Sequence, residues 1–523
     1  MWWRSTNRTF GHTARVTVSA SRWVMRGLLL FALAFANLHD IWSPDVLPNA
    51  LLPFTLLREG NVDYDEFVFR PADRETELQT SRNALDMRLD SEAYFFRACG
   101  KSTATAPPKV PRSKGGPPAP GPNDHVCSVF PPGMGLLALP FFLPFVLAGS
   151  EALDLGLLLR VGHLAAAFYE TVAALLLWAV IRRYSSERQA LGLVLLYWLG
   201  TSVRTVSSQA LWQHAGVHLA VASALWLLLQ ERWLPRRNEF VAGVALGLGS
   251  VVRQTTALVA LALPATRSPS RYFIALAVGL LVGILPLLVF NQLVYGSAVE
   301  QGYGVKPFDT PILEGLYGLL LSPSRGLFIY EPWAFLALAS CVIARFANTT
   351  RGRISERIAG LLIPWAVLLG AYATYAEWWG GRVFGPRFLD DFAPLLIAGL
   401  AWGVRGGWFA LGFMRGVFWL AVSWSLLLFG AAALVYDQNT WDLAPTNIND
   451  DPSRLFSWSD PQWLAVLRAL PEGGPRVVIA IGLSLLILLF LARVEGLIGR
   501  KGVVIGGPAP SAPDRPASSP PAS

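Results

Sequence analysis

Apolar runs recur along this chain at lengths close to the thickness of a bilayer, separated by short polar stretches. A hydrocarbon core ~30 Å thick takes about 20 residues of α-helix. Such runs lie near residues 23–42, 157–181, 190–203, 214–230, 240–253, 256–266 and 272–294, and again near 327–344, 358–376, 389–404, 416–435 and 477–492. They predict an all-α polytopic membrane protein of about twelve transmembrane helices, with ten to about thirteen as the bounds. One further run, residues 133–149, is short and rich in Pro and Gly.

The polar intervals orient these runs, because Lys and Arg gather in cytoplasmic loops. Arg182, Arg183 and Arg188 place the end of the 157–181 run inside. Only one crossing then fits between residues 43 and 182. The longer run takes it, and 133–149 becomes a re-entrant or interfacial helix. The alternative, in which both cross, puts those arginines outside. Later inside loops hold Arg232, Arg236 and Arg237, then Arg267 and Arg271, then Arg345, Arg351, Arg353 and Arg357, then Arg405 and Arg415. Arg4, Arg8, Arg15, Arg22 and Arg26 precede the first apolar run and no small-residue cleavage site follows, so that run reads as a signal anchor. Both termini are expected in the cytoplasm.

Composition agrees. Of 523 residues, 53% are hydrophobic and 15% charged, against about 25% charged in soluble domains. Mean hydropathy is +0.43. The net charge of +8 sits in short loops and sets topology, so it is no sign of nucleic acid. The predicted organisation is a basic cytoplasmic N-terminus over 1–22, a transmembrane domain over 23–495 and a tail over 502–523. The domain includes a first outer loop at 43–132 carrying interfacial helices and a last outer loop at 436–475. The tail, and the insert at 101–124, are rich in Pro with small residues and bury too little apolar area to offset ordering entropy.

With this topology the unusual residues fall outside. They are Asp45; Asp63, Asp65 and Glu66; Trp212 and His214; Arg253; Tyr303 and Lys306; Arg325; Trp378, Trp379, Arg382 and Arg387. Ionisable groups at membrane depth mark functional cavities, and Arg253 interrupts a continuous apolar stretch. Plainer readings stand beside this one. Trp378 and Trp379 suit interfacial anchors, Asp45 suits a helix cap, and the 63–66 acids suit a solvated turn. Glu170 falls mid-span as a hydrogen-bonding group facing the bundle. Cys99 and Cys127 bracket the Pro-rich insert on the oxidising side and can pair; the alternative is two free thiols. Cys341 reads as packing.

Basic groups and aromatic rings beside a bilayer, with carboxylates at the mouth, suit transfer from a lipid-linked phosphate. Arg and Lys hold phosphate, and a carboxylate takes a proton from an acceptor hydroxyl. Several stretches carry a family resemblance: Asp45 through Gly60 with Asp63-Tyr-Asp-Glu-Phe67; Phe130-Pro-Pro-Gly133; Ala210-Leu-Trp-Gln-His214; Gly247 to Arg253; Asn291, Tyr295-Gly-Ser297 and Gly302-Tyr-Gly304; Leu321-Ser-Pro-Ser-Arg-Gly326; Trp378-Trp-Gly-Gly and Phe384-Gly-Pro-Arg387. In this order, over about residues 23–495, the chain resembles the GT-C superfamily of membrane glycosyltransferases, which includes protein O-mannosyltransferases and aminoarabinose transferases, and within it a bacterial branch.

The resemblance implies a polyprenyl-phosphate sugar donor, reaction on the outer face of a bacterial plasma membrane, and a glycan, lipid or protein acceptor. It implies a catalytic acid opening the helix after the first span, which matches Asp45. The family's Asp-Glu pair is absent, since Val46 follows Asp45, so Asp63, Asp65 and Glu66 remain rivals for that role or for acceptor or metal placement. Arg253, Lys306, Arg325, Arg382 and Arg387 become phosphate candidates. Trp212, His214, Tyr303, Trp378 and Trp379 become sugar-pocket candidates. No cofactor is fixed; a divalent metal fits the acids near Asp63. Two other classes stay open, a lipid or sugar transporter and a non-catalytic envelope-assembly protein.

Overall fold

In the computed structural model of the chain the described residues are 19–69, 89–91, 93–99, 117, 120–121, 123–229, 236–262, 270–304, 307–346 and 352–497. Lys306, most of the 101–124 insert, residues 1–18 and the 502–523 tail lie outside them. The described chain is mainly helical, with four strands of two or three residues.

Five stretches are long and apolar enough to cross a membrane: Leu155–Ile181, Phe273–Tyr295, Ser355–Thr374, Gly412–Val435 and Gln462–Val494. The other expected runs form shorter helices, among them Ala20–Phe35, Glu187–Leu199, His214–Leu228, Arg236–Val252, Pro332–Phe346 and Ala393–Arg405. Local chemistry sets several boundaries. Asp154 caps Leu155–Ile181 by accepting from the Leu157 amide at 3.0 Å. Ser186 and Gln189 cap Glu187–Leu199 reciprocally, satisfying amides that have no partner within the helix.

The expected run at 256–266 takes a different form. The helix Arg236–Val252 stops at Arg253, and Gln254–Ala262 continues as a nine-residue 3-10 helix. Such a helix rises ~2 Å per residue, so it covers about 18 Å where an α-helix would cover less. The packing on either side explains why the chain must travel back here. Gly243 and Gly247 let the backbone around Leu276–Gly283 come close, and Gly279 and Gly283 reciprocate toward Phe240 and Val244. Pairings rise together along both helices, so Arg236–Val252 and Ser270–Tyr295 run parallel, which places Gln254–Ala262 on the return path between them.

The two ends of the bundle are built differently. At the end expected inside, Arg26 is buried beneath Trp23 and Trp178 and pairs with Glu187 at 3.0 Å and Glu495 at 2.7 Å. This guanidinium, expected as a flank of the first span, instead joins the first helix to the last. Inside the bundle, Glu170 accepts from the Tyr197 hydroxyl and faces His218 Nδ1 at 3.0 Å, while His218 Nε2 donates to the Asp390 carbonyl at 2.8 Å.

At the opposite end, helix Leu47–Phe54 lies against helix Gly133–Leu147, where Gly135 admits Leu52 and the Asn49 carbonyl, while Gly133 admits the Val251–Val252 backbone of the helix Arg236–Val252. The first loop is closed by strand Phe96–Ala98, antiparallel to Val126–Ser128 with Arg97 opposite Cys127. Cys99 and Cys127 form a disulfide with Cα atoms 5.5 Å apart. Arg97 stacks over Tyr295 and reaches Glu300 at 3.1 Å, anchoring this loop to the next outer one.

The glycine contacts separate two kinds of helical glycine. Gly482 has nothing within 4 Å of an added Cβ, so Gly482→Ala should leave thermal unfolding unchanged or slightly raised. Gly279→Ala should destabilise by about 1–3 kcal/mol, because the Phe240 carbonyl occupies the space; comparison of unfolding midpoints in one detergent checks this.

Candidate active site

The turn Pro44–Val46 carries Asp45 into the helix Leu47–Phe54. The carboxylate accepts from the Tyr94 hydroxyl on one oxygen. Its other oxygen faces both terminal nitrogens of Arg387 at 3.4 Å. Arg387 leaves the loop 378–386 just after Gly380, Gly381 and Gly385, all with φ near +75°; a side chain there would be strained. The loop turns tightly enough for Arg387 to donate back to the Gly380 carbonyl at 3.3 Å.

From Arg387 the contacts continue inward. Its Nε donates to His214 Nε2 at 2.9 Å. An arginine stays protonated, so His214 Nε2 must be the accepting lone pair. The ring proton is then on Nδ1, which donates to Asp391 Oδ1 at 2.6 Å. The second Asp391 oxygen pairs with Arg253 Nε at 3.0 Å, and Arg253 Nη2 donates to the Tyr372 hydroxyl at 2.9 Å. Asp391 and His214 are buried, while Arg253, Arg387 and Asp45 keep 11%, 13% and 19% of their side chains exposed. The result is one continuous path, Tyr94–Asp45–Arg387–His214–Asp391–Arg253–Tyr372. The guanidinium of Arg387 also lies 5.8 Å from the Trp212 ring centre, and Arg253 lies 5.3 Å from that of Phe388.

Of the expected residues, Asp45, His214, Arg253, Arg387 and Trp212 come together here. Tyr303 approaches through Gln213, whose Oε1 its hydroxyl meets at 3.4 Å. Arg382 has no hydrogen-bond or ion-pair partner among the described residues, although its charge is felt at Tyr94.

The chain matches no family profile and no curated relative. Among solved structures it is similar to two of the oligosaccharyltransferase of Archaeoglobus fulgidus. One is a complex with Zn and sulfate, at 13% identity and TM-score 0.40 over 83% of this chain and 57% of that one. The other is AglB with an inhibitory peptide and a dolichol-phosphate, at 14% identity and TM-score 0.40 over 87% of this chain and 58% of that one. The chain thus spans under two thirds of the length of these proteins. A superposition this loose decides neither fold nor chemistry, and the site is read from its own residues.

Other expected residues are drawn elsewhere. Arg325 spends all five N–H groups inside the protein: Nε on the Trp379 carbonyl, Nη1 on Ser324 and Gln462, Nη2 on Gly381 and Asp442, at 2.6–3.2 Å. None is left for a phosphate in this conformation. Its work is to hold the loop that delivers Arg387. Trp378 is 2% exposed and packs on Gly318 and Phe456. Trp379 donates to Asn449 at 3.0 Å.

The acids of the first loop form a separate group. Asp65 accepts from the Val126 amide at 2.9 Å and faces His125 Nδ1 at 2.6 Å. Ligand atoms of Asp63, Asp65 and His125 lie within 4.8 Å of one another. Two carboxylates and an imidazole form a donor set a divalent cation accepts. Burial raises the Asp63 carboxyl, with Asp65 adding repulsion. Burial also lifts Glu66 to about 7.

Sequence reasoning missed Tyr94, Tyr372 and Asp391. Asp390 and Asp391 did carry a signal, two adjacent acids at the mouth of an apolar run just beyond Gly385-Pro-Arg387. The two tyrosines carried none.

Two outcomes follow. Arg325→Met should cost about 3–5 kcal/mol by leaving Asp442 buried without its cation, and adding Asp442→Asn should recover part of it; chemical denaturation of both variants is the measurement. Glu66 binds its proton more tightly when folded than its ordinary value of 4.5. Its contribution therefore favours the fold below that value and is lost as pH rises through about 7. Glu66→Gln should flatten that part of the melting-temperature profile between pH 5 and 7.

Proposed function

We propose that the protein is a membrane glycosyltransferase that moves a sugar from a polyprenyl-phosphate carrier to an exported or envelope acceptor, with Asp45 as the base. The observation that carries this reading is the Asp45 carboxylate held between Tyr94 and Arg387, on a path of alternating acids and arginines at the loop end of an apolar helical bundle.

The chemistry needs a proton acceptor, a cation for the leaving phosphate, and a dry setting. In this reading the acceptor hydroxyl attacks the anomeric carbon while the bond from that carbon to the phosphate oxygen breaks. The phosphate leaves with the bonding pair, and the hydroxyl proton passes to Asp45. Arg387 and Arg253 meet the phosphate. Among the described residues Arg253 pairs by charge with Asp391 and donates one hydrogen bond, to the Tyr372 hydroxyl, which leaves donors for an anion. The Asp45–Arg387 contact, at 3.4 Å, is the longest on the path. A phosphate on Arg387 competes with it and releases the carboxylate to act as base. His214 and Asp391 hold the Arg387 fork in place, so binding does not have to organise it.

Turnover of a panel of polyprenyl-phosphate sugars by the nanodisc-held protein tests the reading. Asp45→Asn should lower kcat at least about 100-fold with donor binding retained. Arg387→Lys, which keeps the charge and loses the fork, should raise the donor KM. Parent-like turnover in Asp45→Asn would remove Asp45 from the chemistry.

A further inference from the structure

Beside the path just described, on the far side of Trp212, the structure has a cleft with no assigned role. Trp42, Trp212, Asp40, Arg382, Gln438 and Asn439 line it. It is drawn from four distant parts of the chain: the segment after the first helix, the 205–212 stretch that ends in Trp212, the loop after Trp379, and the start of the last outer loop. Trp212 connects it to the proposed chemistry. One contact of its ring is the Arg387 guanidinium, and its Nε1 donates at 3.3 Å to Ser43, two residues before Asp45.

The lining has two properties together. Its polar groups are available: among the described residues, Arg382 and the Asp40 carboxylate make no hydrogen bond, and the Asn439 side chain makes none, while Gln438 uses only its amide nitrogen, on the Trp42 carbonyl at 2.9 Å. Its floor is aromatic and apolar, with Trp212 buried and Trp42 half-buried. Carboxylate, amide and guanidinium groups converging beside indole rings match the hydroxyl edge and the C–H face of a sugar. The cleft volume, about 70 Å³, is several times what one water needs. It seats the edge of one ring.

We propose that this cleft binds a single sugar ring through vicinal hydroxyls on Asp40, Arg382 and the 438–439 amides, with the ring face against Trp42. The inference rests on the transferase reading and adds to it the place of one glycosyl unit. The ring belongs to the donor, or to an acceptor that is itself a glycan, since those two present the same chemistry.

The experiment has two arms. In the first, monosaccharides are titrated into nanodisc-held Asp45→Asn protein, with no donor present, by ligand-observed NMR. Saturable binding should weaken at least tenfold in Trp42→Ala, Asp40→Ala and Asn439→Ala backgrounds. The last two change exposed side chains and leave the packing intact. No saturable binding by any sugar, equal binding in all backgrounds, or equal binding of a linear polyol overturns the proposal. In the second arm, the same three substitutions are made in the active parent. A raised acceptor KM with the donor KM unchanged assigns the ring to the acceptor, and the reverse assigns it to the donor. Both KM values unchanged in an active enzyme overturns the cleft and spares the transferase. Sugar binding that depends on the cleft, in a parent with no turnover of any donor, sustains the cleft and overturns the transferase.

Discussion

Charge removed from water at the loop end of the bundle has to be neutralised where it sits, because each desolvated ion costs several kcal/mol unless a partner of opposite sign is in contact. The path from Asp45 to Arg253 meets that constraint by alternation: acid, arginine, neutral imidazole, acid, arginine. Each guanidinium stands next to a carboxylate, and the histidine between them carries one proton that fixes which way the bonds point. Remove one of the charged members and its partner is left with unmatched charge; remove the imidazole and the two ion pairs lose the bridge between them. The geometry of the loops, including the left-handed glycines before Arg387, follows from the need to deliver these groups to one another.

The same constraint separates two kinds of arginine that look alike in the sequence. Arg325 is completely enclosed by carbonyls, Gln462 and Asp442, and it binds two loops together. Arg253 and Arg387 are only partly used and keep some exposure. A saturated guanidinium holds structure, whereas one with N–H groups to spare can take an anion. At the other end Arg26 is structural through burial and charge pairing, joining the first and last helices through Glu187 and Glu495. The fold is thus pinned at both ends by buried ion pairs, with apolar helix packing and close glycine contacts between them.

Much of the site was legible as residue types. Asp45, His214, Arg253, Arg387 and Trp212 stood out because ionisable and aromatic groups are costly or unusual beside apolar runs. Their grouping was not legible, and neither was the exclusion of Trp378 and Arg325 from it. Asp45 and Arg387 lie 342 positions apart, and His214 and Asp391 lie 177 apart. No local pattern encodes such a meeting. Tyr94 sits in a short aromatic run and gains its role only from the strand pairing that closes the first loop. The cleft beside Trp212 likewise has walls from four segments, each unremarkable alone.

The sequence by itself determined that the chain is helical and built for a bilayer, since apolar length and charge placement are local properties that lipid thickness reads directly. It also located the loops where polar chemistry gathers. Tertiary structure alone decided that residues 254–262 travel back as a 3-10 helix between two parallel helices. It decided which carboxylate each arginine meets, and which tryptophan faces a cleft. Those outcomes depend on backbone approach and ion pairing between segments far apart in the chain. The energy of such contacts exists only once the segments have met.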